Sequence, residues 1–123
     1  DIVMAAFGKI LGLITALVLI FQVVSSFARQ KLGTHFQKIH RYGGILLVLL
    51  FGVHATILYS IVGPPKSLWH LSGTIAATLA LLALITGFYR KSLGSKFLSS
   101  HKILACAALL FAVAHRVLPF VGL

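Results

Sequence analysis

The stretch His40-Arg-Tyr-Gly-Gly-Ile-Leu-Leu-Val-Leu-Leu-Phe-Gly-Val-His54 begins and ends on histidine, with an apolar run between. On an α-helix, fourteen steps of about 100° fall about 40° short of four turns. Both rings therefore face one side of the helix, about 21 Å apart along it. The spacing recurs once, at His101 and His115, within a second apolar run. Two helices, each carrying two histidines at matched separation, are the pattern from which the fold is read.

The surrounding sequence belongs to a membrane. Of 123 residues, 59% are hydrophobic and 10% charged, and the mean hydropathy is +1.06. Such a composition lies outside the soluble globular range. Four apolar segments, at about 10–28, 42–62, 68–89 and 103–123, are each near the length that crosses a hydrocarbon core as a helix. A closed barrel would need alternating polarity, which is absent. The connections are short: Arg29 to Arg41, Gly63 to Ser67 with Pro64 and Pro65, and Arg90 to Lys102. Short links make neighbouring helices antiparallel. The expected fold is an all-α membrane protein, a single domain over 1–123, built as an up-down four-helix transmembrane bundle. No internal repeat at the level of whole segments is evident.

Charge sets the expected orientation. The net charge is +10, and Asp1 is the only acid. Arg29, Lys31, Lys38 and Arg41 flank the first connection, and Arg90, Lys91, Lys96 and Lys102 the third. Lys9, Lys66 and Arg116 lie on the opposite side. Eight bases against three predict that the first and third connections are cytoplasmic and both termini outside. The second and fourth spans then run parallel. Bases confined to loops read as topology control, not as a nucleic-acid surface. With no carboxylate in the spans, proton relays and general acid–base pairs built on Asp or Glu are excluded. Cys106 is the single cysteine, so no disulfide forms within the chain, and covalent haem attachment through C-x-x-C-H is excluded. It points about 140° from the histidine stripe and reads as a small buried hydrophobe. The first apolar run lacks a basic flank and reads as a mature span, although the chain opens on Asp1.

Parallel second and fourth spans bring His40 level with His101 and His54 level with His115. Each facing pair can supply both axial ligands of one haem, since neutral imidazole suits iron and a ring buried in lipid needs a partner. Small residues flank the stripe: Gly43 and Gly44 in span two, Ala105, Ala108 and Ala112 in span four. Gly44 and Ala105 each follow an inner ligand by four residues, and Ala112 precedes an outer one by three. They fit a flat macrocycle between the helices, and they equally fit close helix packing. Arg41, Lys102 and Arg116 each follow a ligand directly and could pair with haem propionates. Arg41 and Lys102 are also explained as topology charges, so Arg116 is the better propionate candidate. His35 reads as a solvated loop residue. His70, after Trp69, reads as an interfacial anchor.

The stretch from His40 to His54 resembles the first haem-binding helix of the ferric reductase-like transmembrane superfamily, which includes NADPH oxidases, ferric reductases and a bacterial haem-binding membrane subunit. The stretch Ile85-Thr-Gly-Phe-Tyr-Arg-Lys-Ser-Leu-Gly, running on to His101 and His115, is similar to that superfamily's next helix, basic loop and second haem-binding helix. The resemblance covers nearly the whole chain. It implies two non-covalent haem b groups, the inner on His40 and His101 and the outer on His54 and His115. Members usually have about six helices, and many continue into a flavin- and NADPH-binding domain. Four spans, no glycine-rich dinucleotide motif and a last span that ends outside depart from that pattern.

The expected function is therefore transmembrane electron transfer in a plasma membrane (the inner membrane in bacteria). The expected donor is a separate subunit, a quinol or a soluble reductase, with an acceptor on the outer side and no nucleic-acid partner. Electron-transfer subunit is the expected role in preference to complete enzyme. The alternatives are a non-redox structural or assembly subunit, a terminal reductase using its outer haem edge, and a cytochrome b-type quinol-linked subunit.

Overall fold

The computed structural model describes residues 2–123, which form helices joined by short turns and include no strand. In chain order the helices are α1 (Ile2–Phe27), α2 (Arg29–Leu32), α3 (His35–Val62), α4 (Leu68–Phe88), α5 (Arg90–Leu93) and α6 (Phe97–Val117). Short 3-10 turns precede and follow α6, at Gly94–Lys96 and Leu118–Val121. Four of these segments are long and apolar enough to cross a membrane.

The long helices outrun the apolar segments. α1 starts at Ile2, α3 at His35 and α6 at Phe97, each well before the apolar run it carries. The leading turns hold lysine or histidine, which hydropathy rejects and a helix accepts. With 28 residues, α3 is about 42 Å long, so about two turns project beyond a hydrocarbon core of about 30 Å. His35 is thus the exposed first residue of a helix, not a loop residue. Large apolar side chains such as Ile10, Leu17, Leu49, Leu81 and Leu110 stand exposed on the outer faces, as lipid-facing surfaces require. Cys106 is exposed as well. The expectation that it is buried is corrected: pointing away from the histidines takes it to the periphery, because a ring of four helices has no second layer outside.

The halves repeat. His40 and His101, His54 and His115, and Gly12 and Gly73 are each 61 residues apart. So are the one-turn helices α2 and α5, which share the pattern Arg-x-x-Leu-Gly and lead to Phe36 and Phe97. Gly33 (φ 57) closes α2 by donating its N–H to the Arg29 carbonyl, and Gly94 (φ 56) closes α5 on Arg90 in the same way. That positive-φ turn suits glycine alone. Burial follows the same offset. Leu11, Thr15, Leu19 and Gln22 are buried in α1, and Ser72, Ala76, Ala80 and Ala83 in α4. Leu47 and Ala108, again 61 apart, are the buried residues of α3 and α6. An internal repeat therefore exists, contrary to the sequence reading.

Each repeat is an antiparallel hairpin. Gly12 meets His54, and Gln22 meets Gly43; in the second half Gly73 meets His115, and Gly87 meets His101. Both halves run the same way, as parallel repeats about an axis along the bundle. Around that axis α1 packs on α3, α3 on α4, α4 on α6 and α6 on α1. Among the described residues no Cα of α3 comes within 8 Å of one in α6, nor any of α1 within 8 Å of α4. The two histidine helices are therefore diagonal, facing each other across the centre. The most extensive contact, α4 on α6, uses Ala76, Ala80, Ala83 and Ala108, whose small side chains let backbones approach closely.

Candidate functional site

Four histidine rings reach into the centre at two levels. At the level near the basic connections, His40 Nε2 lies 3.5 Å from His101 Nε2, with ring centroids 5.8 Å apart and planes at 70°. At the other level the His54 and His115 centroids are 6.3 Å apart with planes at 83°. The rings that lie near each other are thus His40 with His101 and His54 with His115, the neighbours that the spacing and parallel spans imply. Midway between the levels, seven residues from each histidine, stand buried Leu47 and Ala108.

Three of the four rings are fixed by backbone. His54 Nδ1 donates to the Gly8 carbonyl of α1 at 2.9 Å. His101 Nδ1 donates to the Ala83 carbonyl of α4 at 2.9 Å, with Thr86 Oγ1 also 3.1 Å away. His115 Nδ1 donates to the Trp69 carbonyl at 2.5 Å. These partners assign the proton to Nδ1 and leave each Nε2 with a lone pair. The acceptors repeat at the 14-residue step as well, since Trp69 and Ala83 stand fourteen apart like His115 and His101. Ser72 Oγ bonds the Trp69 carbonyl, and Thr86 Oγ1 bonds the Ala83 carbonyl, in the same way. His40 differs: its Nδ1 is buried and has no partner.

Glycine makes room for the rings. A Cβ on Gly12 would come within 2.7 Å of His54 Cε1, and one on Gly73 within 2.7 Å of His115 Nδ1. Aromatic rings brace the other sides. Phe36 stacks on His40 (5.1 Å) and Phe97 lies beside His101 (5.4 Å), each one turn before its histidine. Trp69 lies 5.4 Å from His115. Gly12, Gly73, Phe36, Phe97 and Trp69 were missed in the sequence reading. The signal that marks most of them is the 61-residue repeat, in which Phe-x-x-x-His occurs twice.

The remaining candidates sit further from the centre. Gly44 faces Leu84 of α4 at ordinary contact distance and serves helix packing there. Ala105 and Ala112 are half-buried on α6. Arg41 is exposed, with its guanidinium 5.5 Å over the Phe88 ring. Arg116 and Lys102 are exposed next to their histidines. His70 receives the Ser67 hydroxyl at its Nδ1 (2.8 Å) and packs on Trp69, in the first turn of α4.

The donor set constrains what the centre could hold. Two imidazoles on one metal, at about 2 Å per bond, put their Nε2 atoms about 4 Å and their centroids about 6 Å apart. The inner level is close to both distances, at 3.5 and 5.8 Å, and the outer level to the centroid distance, at 6.3 Å. Among the described residues no group of three or more His, Cys, Asp or Glu gathers anywhere. A bare ion would find only two protein donors per level, short of the four to six it prefers. A metal already held by a macrocycle and needing two further nitrogens would fit, with His40 and His101 or His54 and His115 as the donors. Nδ1–H bonds to carbonyls are the usual outer support of such imidazole ligands. No family profile, curated protein or solved structure matches the chain. Fold and geometry define the class: a four-helix bundle of membrane-length helices with two levels of facing interior histidines.

Proposed function

We propose that the protein carries electrons across a membrane through two b-type haems, one held by His40 and His101 and the other by His54 and His115. The observation that carries this reading is the two facing imidazole pairs, three of whose four rings have their Nδ1 protons committed to neighbouring backbone. A haem held by two of these imidazoles would supply one-electron transfer in preference to oxygen binding. The chain's residues would then do three things. The histidines set the depth of each group, about 21 Å apart along the helices. The Gly8, Ala83 and Trp69 carbonyls raise the basicity of their imidazoles and fix their orientation. The exposed bases beside the ligands, Arg116 first and then Arg41, are placed to pair with propionates.

In this reading the eight bases around the first and third connections mark the cytoplasmic side, in a plasma membrane, with both termini outside. The electron enters from a separate donor subunit, a quinol or a soluble reductase and leaves to an outer acceptor. The ferric reductase-like resemblance supports the same direction. The contrary observation is the direct approach of His40 to His101 at 3.5 Å, which a non-redox structural subunit could also use. The two readings part on colour. Protein made in a haem-replete host is expected to show reduced b-type bands and about two haems per chain, two ligands to each iron. A colourless preparation sinks the electron-carrier reading and leaves the structural one.

A further inference from the structure

We infer that the Gln22 side chain is the hydrogen-bond acceptor for His40, so that the inner haem is tuned by a movable amide where the other ligands lean on fixed backbone. The inference rests on the haem reading above and adds a positioning residue to it.

Two independent registers lead to position 22. Along the bundle, His54 donates to the Gly8 carbonyl, and a step of fourteen residues carries His54 to His40 and Gly8 to Gln22. Across the repeat, His101 donates to the Ala83 carbonyl, and the offset of 61 carries His101 to His40 and Ala83 to Gln22. Both place the missing acceptor of His40 on the same residue.

The backbone carbonyl at that position is already engaged. Ser25 Oγ donates to it at 3.1 Å and Ser26 Oγ at 2.8 Å, two side-chain donors, as many as the Ala83 and Trp69 carbonyls each take including their histidine. The second hydroxyl is what sets this level apart: the positions equivalent to Ser26 are Gly12 on the fourteen-residue step and Gly87 on the repeat. What remains at position 22 is the side chain. Gln22 is 5% exposed, and neither its Oε1 nor its Nε2 has a partner. The amide lies against Gly43, where a Cβ would collide with it. Gly43 is one turn from His40 on the same face of α3. A buried unpaired amide and the buried unpaired Nδ1 of His40, which carries the ring proton once Nε2 is a ligand, thus lie one turn apart, and each such orphan costs free energy. A side-chain rotation of Gln22 would bring Oε1 to His40 Nδ1 and pair those two atoms.

An acceptor on Nδ1–H makes an axial imidazole a stronger donor and favours ferric over ferrous iron. Potentiometric titration of the holoprotein reads this directly, with the two haems resolved as separate one-electron steps. Gln22→Leu is expected to shift the ferric-to-ferrous preference of one haem on the order of tenfold, which is about 59 mV upward for a one-electron couple. The haem that survives in His54→Ala is the inner one and identifies which step moved. Gln22→Glu, which keeps an acceptor oxygen, is expected to leave that step at or below its wild-type potential. Unchanged potentials in Gln22→Leu, equal upward shifts in both variants, or a shift confined to the outer haem would each overturn the inference. Wild-type protein without haem would instead overturn the reading on which it rests.

Discussion

His54→Ala and His115→Ala are each expected to remove one of the two haems proposed per chain, and the same one in both. The two rings lie across the bundle from each other, 6.3 Å apart between centroids. Losing either leaves one protein donor at that level, and one imidazole does not hold an iron that needs two axial partners here. The effects should not add. The double variant should match either single one, because residues that act as a unit lose the whole function with the first substitution. Haem content by pyridine haemochrome and redox titration of the remaining group decide it. Retention of different haems by the two single variants would break the pairing.

Gly73→Ala and Gly12→Ala should weaken that same outer level, whereas Gly87→Ala should be tolerated. The contrast is sharp because Gly73 and Gly87 share a helix and differ by one fourteen-residue step. A methyl on Gly73 would lie 2.7 Å from His115 Nδ1, and one on Gly12 2.7 Å from His54 Cε1. Neither ring can retreat freely, since His115 is bonded to the Trp69 carbonyl and His54 to that of Gly8. A methyl on Gly87 would stand 3.9 Å from His101 Cε1, an ordinary contact. Disturbing the outer support of a metal-bound histidine typically costs 10- to 100-fold in affinity. Gly73→Ala and Gly12→Ala should therefore lose the outer haem on dilution or during purification, with the inner spectrum intact. Full retention in Gly73→Ala would show that the glycine is no cradle.

The histidine geometry was legible in the sequence because it depends on side chains that are rare in apolar helices and on a spacing that needs only the helical pitch. His40 opposite His101 and His54 opposite His115 follow from that and from short connections. The supporting features were not legible. Gly8, Ala83 and Trp69 act through their carbonyls, which every residue has, so no letter marks them. The 61-residue repeat hid for a related reason. Many of its matches outside the site are Leu, Ile and Ala, which any membrane helix supplies, and equivalent positions differ in chemistry, as Gln22 and Ala83 do. Helix starts were misplaced where charge and structure disagree, at His35 and Phe97, because hydropathy measures the slab and not the helix. For Cys106, the angle of about 140° from the histidine stripe excluded it from the site, but that same angle puts it on the exposed periphery and not in a core.

The diagonal arrangement of α3 and α6 makes each level a joint between halves that otherwise meet only along two seams. Neither hairpin owns a complete ligand pair; each contributes one nitrogen to each level. A group bound at either level would therefore rivet one half of the molecule to the other across a centre where no helix backbones touch. By mass action that cross-bracing grows with supply: at a free ligand concentration a thousand times Kd it is worth about 4 kcal/mol for each level. The rigidity of the bundle would then be set as much by haem availability in the host as by the packing of its own helices.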